Sequence, residues 1–212
     1  VPYQGEIQVY EMITYNPLAL AYNGNRHLVR TPNSEELHLV YTNNGKIIYR
    51  RSSNGGTDWT VPVSIGEGKF PAIAIDCAAL PSVTWTDEEG GLWYRRKTSS
   101  TSWSDVYHLW NPGFDDLQLN SPPSIAIDHP PRPNKGHILV TRSGGAPTRD
   151  VDHKVEDYTF YITQPEQGSF VLIEQAQGPY LYPPLRSFPS IARCEVNNSF
   201  HAVWQRVDTI CY

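Results

Sequence analysis

The sequence predicts an all-β fold built from repeated four-stranded antiparallel units. Two observations carry that expectation: a segment that recurs along the chain, and a composition rich in helix breakers. The 212 residues include 18 prolines and 15 glycines, about 16% of the chain against a usual share near 12%. These residues end helices and make turns, so long helices are not expected. Hydrophobic residues make up only 39%, but 6 Trp, 13 Tyr and 6 Phe supply large side chains for a core.

The recurring segment is Phe70-Pro71-Ala72-Ile73-Ala74-Ile75-Asp76. It returns as Pro122-Pro123-Ser124-Ile125-Ala126-Ile127-Asp128 and as Phe188-Pro189-Ser190-Ile191-Ala192-Arg193-Cys194. A weaker copy is Asn16-Pro17-Leu18-Ala19-Leu20-Ala21. Each copy is followed by a second apolar run: Leu39 to Thr42, Ser82 to Thr86, Ile138 to Thr141 and Ala202 to Gln205. A third run comes next: Lys46 to Arg51, Gly91 to Arg96, Tyr158 to Tyr161 and Thr209 to Tyr212. A fourth follows an aromatic at Trp59, Trp103 or Phe170 and reads Val61 to Ile65, Val106 to Leu109 and Val171 to Ile173. These runs are short, β-branched or aromatic, and bounded by Gly, Asn, Asp or Pro, which is a strand signature. Four short strands per repeat make the blade of a β-propeller, and blades must stack because a single sheet leaves both faces uncovered. The expectation is one domain over 1–212, with repeats at about 17–69, 70–121, 122–187 and 188–212 joined with 1–16. The strands of a repeat are A to D, inner to outer. Trp85 and Trp204 fall at equivalent strand B positions and read as core between blades. Trp59, Trp93 and Trp103 are expected to be largely buried with them. One arginine of each pair, Arg50-Arg51 and Arg95-Arg96, is expected to point outward.

The stretch Ser52-Ser53-Asn54-Gly55-Gly56-Thr57-Asp58-Trp59 is similar to the Asp-box, or BNR repeat, of sialidase-like propellers. Ser52, Gly56 and Trp59 match that motif, while Asn54 stands for its Asp and Asp58 for its Thr. In the family the box is structural: it folds the C–D turn and tucks the Trp between strands. The resemblance implies the propeller fold. Its hydrolases use three arginines around the substrate carboxylate, and no such triad carries over to this chain. The Arg-Ile-Pro motif is absent, and the nearest approach is Arg186-Ser187-Phe188-Pro189.

Charge and cysteines narrow the function. A formal net charge of −5 gives no bulk attraction to nucleic acid. No apolar run approaches the ~18 residues of a membrane span, so no membrane insertion is expected. Cys77, Cys194 and Cys211 are too few and too irregular for a disulfide framework or a zinc site. Three connections are long: residues 110–121, 142–157 and 175–187. They are D–A or B–C connections, which gather on one face of a propeller, and long loops often carry function. They supply the candidate ligand-binding residues Asp115, Asp116, Arg149, Asp150, Asp152, His153, Tyr180, Tyr182 and Arg186. Aromatic faces with directed charged groups suit sugar recognition. Asp150, Asp152 and Glu156 lack a calcium-loop pattern and read as a solvated acidic loop, so no metal or cofactor is expected. The expected function is an extracellular, secreted, non-catalytic module that binds a glycan or assembles with copies of itself. The alternative is a sialidase-like glycoside hydrolase or a fragment of one.

The ends carry a separate expectation. The last repeat stops in strand C, and Glu6-Ile7-Gln8-Val9-Tyr10-Glu11 stands at the strand D offset before Pro17. Residues 6–11 are therefore expected to pair with Thr209 to Tyr212, within one chain or between chains of a homo-oligomer, because exposed sheet edges tend to be covered or paired. Deleting residues 1–12 should lower the melting temperature or abolish a larger assembly seen by light scattering. An unchanged melting temperature and mass would rule out this pairing.

Overall fold

The computed structural model describes residues 26–110, 122–127, 136–143, 155–163, 169–178, 189–194, 199–206 and 209–211. Among them there is no helix, and the strands form three four-stranded sheets and one three-stranded sheet. The first sheet is β1 (Leu28–Arg30), β2 (Leu37–Asn43), β3 (Lys46–Ser52) and β4 (Val63–Glu67). The second is β5 (Lys69–Ile75), β6 (Pro81–Thr86), β7 (Leu92–Arg96) and β8 (Tyr107–Trp110). The third is β9 (Ser124–Ile127), β10 (Gly136–Ser143), β11 (Val155–Thr163) and β12 (Ser169–Gly178). The fourth is β13 (Ser190–Arg193), β14 (Phe200–Arg206) and β15 (Thr209–Cys211). Within each sheet every strand pairs antiparallel with the next in sequence. The first strands lie side by side: β1 beside β5, β5 beside β9, β9 beside β13. This is the β-propeller arrangement, with the A strands innermost and each sheet a blade.

Local chemistry fixes the hairpins. Asn44 and Gly45 both have positive φ (50° and 71°), the primed two-residue turn that matches strand twist between β2 and β3. After β5, Asp76 Oδ1 accepts the amides of Ala78 (2.9 Å) and Leu80 (2.8 Å), closing the A–B turn. In the turn after β3, Ser52 Oγ accepts Gly56 N (2.9 Å) and Asn54 Oδ1 accepts Asp58 N (2.8 Å). Asn54 Nδ2 also donates to Asp58 Oδ2 at 2.8 Å, a bond that needs both residues that depart from the motif. Trp59 then packs on Leu39, Tyr41 and Ile48.

The blades are held by the apolar faces they share. Val29, Val40, Ile47, Tyr49 and Ile65 of the first blade pack with Ile73, Val83 and Trp85 of the second. Ala72, Ala74, Leu92, Tyr94 and Leu109 of the second pack with Ile125, Ile127 and Ile138 of the third. Ala126 and Leu139 continue to Ile191, Phe200 and Ala202 of the fourth. Trp85 is fully buried, whereas Trp59, Trp93 and Trp103 are half-buried; the Trp204 side chain lies outside the described residues.

The outer strand of each four-stranded blade bulges at one point. Ile47 faces Gly66 but Ile48 faces Ser64, so Ile65 is the extra residue. Leu92 faces Trp110 and Trp93 faces His108, leaving Leu109; Thr159 faces Glu174 and Phe160 faces Leu172, leaving Ile173. A bulge twists the strand and re-aims its carbonyls. The Ile65 carbonyl accepts Arg95 Nη1 from the next blade at 3.0 Å. Arg50 and Arg95 take equivalent roles, donating through Nε to the Thr60 and Ser104 carbonyls at 2.8 Å each, rather than pointing free into solvent.

Two sequence-based assignments change. The inner strand of the first blade is β1, not the copy at Asn16–Ala21, which lies outside the described residues. Six residues separate β1 from β2, a span suited to a hairpin, whereas a strand ending at Ala21 would leave a long connection. In the third blade the ladder reaches into two of the expected loops. Ser143 pairs with Asp157, and Val155 with Gly178, so the connections shrink to residues 144–154 and 179–188. Each added pair satisfies backbone groups that a loop would leave to solvent. Residues 6–11 lie outside the described residues, while their expected partner segment forms β15.

One residue, Gly68, joins the first blade to the second. Its φ is 138°, and a Cβ there would meet the Thr86 carbonyl oxygen and stand 2.8 Å from the Trp85 ring. Gly68→Ala should therefore lower unfolding free energy by roughly 2 kcal/mol or more in urea denaturation. A loss within about 0.5 kcal/mol would show that the joint does not depend on the missing side chain.

Candidate functional site

Antiparallel alternation puts the A–B and C–D turns at one end of every blade and the B–C and D–A connections at the other. A cavity of about 380 Å³ opens where the inner strands reach the A–B end. Its described lining comes from all four blades: Arg26, Leu28, Arg30 and Pro32 beside β1, Ala74 and Ile75 at the end of β5, Ala126 and Ile127 at the end of β9, and Arg193 at the end of β13. Strand alternation explains the first set. Val29 turns into the core between blades, while Leu28 and Arg30 on either side are exposed. The Arg26 carbonyl accepts Ile73 N at 2.8 Å, which ties the approach to β1 against β5. Arg30 Nε donates to the Ser34 carbonyl at 2.6 Å. No carboxylate occurs among the described lining residues.

A second cluster lies at the same end of the first blade. His38 is buried on β2, with Nδ1 2.7 Å from the Tyr49 hydroxyl on β3. Its Nε2 stands 3.1 Å from Thr31 Oγ1 and 3.2 Å from Glu36 Oε1. A carboxylate only accepts, so the proton sits on Nε2 and Tyr49 donates to Nδ1. Glu36 also takes two bonds from Arg51, at 2.6 and 3.0 Å. The connectivity is carboxylate, imidazole, hydroxyl, the order of a nucleophile with its base and orienting group. Access removes that chemistry. Tyr49 is buried, with the Trp103 ring edge-on at 5.0 Å and Lys97 Nζ 5.2 Å from its centroid. Burial pushes the Tyr49 hydroxyl pKa far up, against the attraction of Arg51. The cluster braces the first blade against the second.

The second blade carries a counterpart of this brace. His38, Ser82, His137 and His201 are each the second residue of strand B. Ser82 Oγ meets the Tyr94 hydroxyl at 3.1 Å, as His38 meets Tyr49. The sequence signal was available: a polar residue opens each strand B run, and a tyrosine precedes each arginine pair.

On the second blade, the half-buried Trp93 stacks on the exposed ring of His108, 3.9 Å between centroids and 10° between planes. Asp87 accepts the Trp93 indole N–H at 2.7 Å and Gly91 N at 2.7 Å, fixing the B–C turn. Asp115, Asp116, Arg149, Asp150, Asp152, His153, Tyr180, Tyr182 and Arg186 all lie outside the described residues. No group of three or more metal-binding side chains occurs among the described residues.

No family model matches the sequence, and no curated protein does. Among solved structures, the chain is similar to the NanB sialidase of Streptococcus pneumoniae, with 14% identity and a TM-score of 0.49, over 86% of this chain and 27% of that one. It is also similar to the fucose-specific lectin of Aleuria aurantia, with 13% identity and a TM-score of 0.48, over 82% of this chain and 53% of that one. The chain thus spans between about a quarter and a half of these proteins. Neither the sugar nor the activity in those names transfers to this chain at likenesses of this size.

Burial holds His38 well below its ordinary pKa, at about 4; Glu36 pulls the other way, and Arg51 and Lys97 add to the lowering. The unfolded chain therefore binds the extra proton between pH 6.5 and 4. Stability from this group is complete above pH 6.5 and is lost as pH falls through 4. The loss should be up to roughly 3 kcal/mol, read as a falling urea midpoint from pH 7 to pH 4. His38→Gln should flatten that slope. A slope unchanged in the variant would place the acid sensitivity elsewhere.

Proposed function

We propose that the chain is a non-catalytic saccharide-binding propeller module that works outside the cell. The observation that supports this reading is the cavity at the A–B ends of the inner strands. Four blades contribute to it, so it forms only when the blades stack. Its described lining combines aliphatic strand ends with guanidinium groups. That mixture binds and orients a small polar ligand: apolar walls for C–H surfaces, and charged forks for directed hydrogen bonds. A glycosidase instead places a carboxylate pair, or its Tyr variant, across a scissile bond. Self-assembly through the terminal strands is a separate part of the proposal and rests on their offsets alone.

The purified chain should bind a subset of immobilised glycans and release no fluorophore from a panel of fluorogenic glycosides. Turnover that disappears on changing Asp150 or Asp152 to Asn would overturn the binding reading in favour of a hydrolase.

A further inference from the structure

Two asparagines among the described residues stand directly before a glycine, and the fold treats them differently. Asn44-Gly45 is the hairpin turn between β2 and β3, and Asn54-Gly55 lies in the turn after β3. Asparagine is a thermolabile residue. Its side chain is open to attack by the amide nitrogen of the next residue, and glycine, having no side chain, crowds that attack least. The glycine nitrogen bonds to the asparagine Cγ, and the Cγ–Nδ2 bond breaks. Nδ2 takes the proton that the amide loses and leaves as ammonia. Water then opens the cyclic succinimide. Cleavage at Cγ gives aspartate. Cleavage at the main-chain carbonyl gives isoaspartate, whose backbone runs through the side chain and is longer by a methylene.

Asn54 is held against this reaction. Its Oδ1 accepts Ser52 Oγ at 3.0 Å and Asp58 N at 2.8 Å, and its Nδ2 donates to Asp58 Oδ2 at 2.8 Å. The attacking nitrogen is engaged as well, since Gly55 N donates to the Glu35 carbonyl at 3.0 Å. Asn44 lacks these restraints. Both Asn44 and Gly45 are exposed. Among the described residues nothing bonds the Asn44 side chain or the Gly45 amide. Ring closure swings the Gly45 amide toward the Asn44 side chain, so the turn must open. Room for that movement exists: nothing stands within 4 Å of where a Gly45 Cβ would lie. The opening disturbs only the end of the ladder, the Asn43–Lys46 pair.

Damage at this turn reaches the joint between blades. The Gly45 carbonyl accepts Gly68 N at 2.7 Å. Gly68 is the residue pressed against the Thr86 carbonyl and the Trp85 ring. A two-residue primed turn fixes the register of its hairpin, so an added methylene breaks the Asn43–Lys46 pair and withdraws the Gly45 carbonyl from Gly68. We propose that Asn44 is a site of spontaneous deamidation, and that isoaspartate formed there loosens the seam between the first and second blades. The reaction needs only water and does not depend on what the cavity binds.

The test ages the full chain in mildly alkaline buffer, folded and in urea. Mass spectrometry of its peptides follows both asparagines, and enzymatic methylation reads isoaspartate. In the folded chain Asn44 should convert faster than Asn54 by about tenfold or more, because Asn54 must first give up several hydrogen bonds. In urea the two rates should converge, since both asparagines precede glycine. Asn44 intact in the folded chain, or Asn54 converting as fast, overturns the site. Urea denaturation tests the seam. Aged protein carrying isoaspartate at position 44 should have a lower midpoint than fresh protein. Asn44→Gly suits the same turn and should keep its midpoint on ageing. Fresh Asn44→Asp, which also suits the turn, should keep the fresh midpoint; one as low as the aged chain's would assign the loss to charge and overturn the backbone route. An unchanged midpoint in the aged chain, or an equal loss in aged Asn44→Gly, overturns the link to the seam and leaves the modification site standing.

Discussion

Trp85 can lie against the outer strand of the preceding blade only because positions 66 and 68 carry no Cβ. A methyl at either position would fall inside 3.0 Å of its ring. The indole N–H then reaches the Glu67 carbonyl at 2.8 Å, between those two glycines. A large apolar slab is thereby buried with its one polar group satisfied, which is what a buried Trp requires. The Ile65 bulge belongs to the same seam: it tucks an aliphatic side chain into the shared core and presents its carbonyl to Arg95 of the second blade. Each blade has two apolar faces and covers them only by meeting its neighbours. The angle set at this seam therefore decides how β1 sits beside β5, and with it the spacing of the side chains around the cavity.

The two clusters of charge at the A–B end have opposite characters. Around His38 every polar group is spent: Glu36 on Arg51 and the imidazole, the imidazole on Thr31 and Tyr49. Lys97 caps the cluster, donating to the Ser100 carbonyl at 2.6 Å while resting over Tyr49 and Trp103. Burial lowers the Lys97 pKa as it lowers that of His38, so both favour their neutral forms relative to water. Such a network stiffens the blade pair, and its imidazole and hydroxyl are buried. Around the cavity, Arg26 and Arg30 are exposed, with Arg30 Nε held by the Ser34 carbonyl.

Much of the architecture was readable because a propeller repeats its pattern. The Ile-Ala-Ile runs, the tyrosine before each arginine pair and the aromatic before strand D marked three blades and the start of a fourth. What escaped reading were single positions where the repeat is modified. The apolar residue closing each strand D run, Ile65, Leu109 and Ile173, is the bulge, and nothing in a period-two pattern separates it from an ordinary inward residue. β1 was missed because it has only three residues, one of them Arg30, too short for alternation to register. Arg193 was visible as a departure from Ile, but its meaning depends on which way the strand end faces. The sequence reading placed its candidate site on long connections, because charge and aromatic content stand out there. The cavity instead draws on strand ends far apart in sequence, gathered only by the stacking of sheets.

The central claim is that ligand is held at the A–B ends of the inner strands. Hydrogen exchange with and without a saturating sugar, chosen from those the glycan panel retains, tests it most directly. Amides in 26–34, 74–80, 126–127 and 193–194 should exchange more slowly in the complex. Protection confined to 111–121, 144–154 and 179–188, with those inner segments unchanged, would contradict the account.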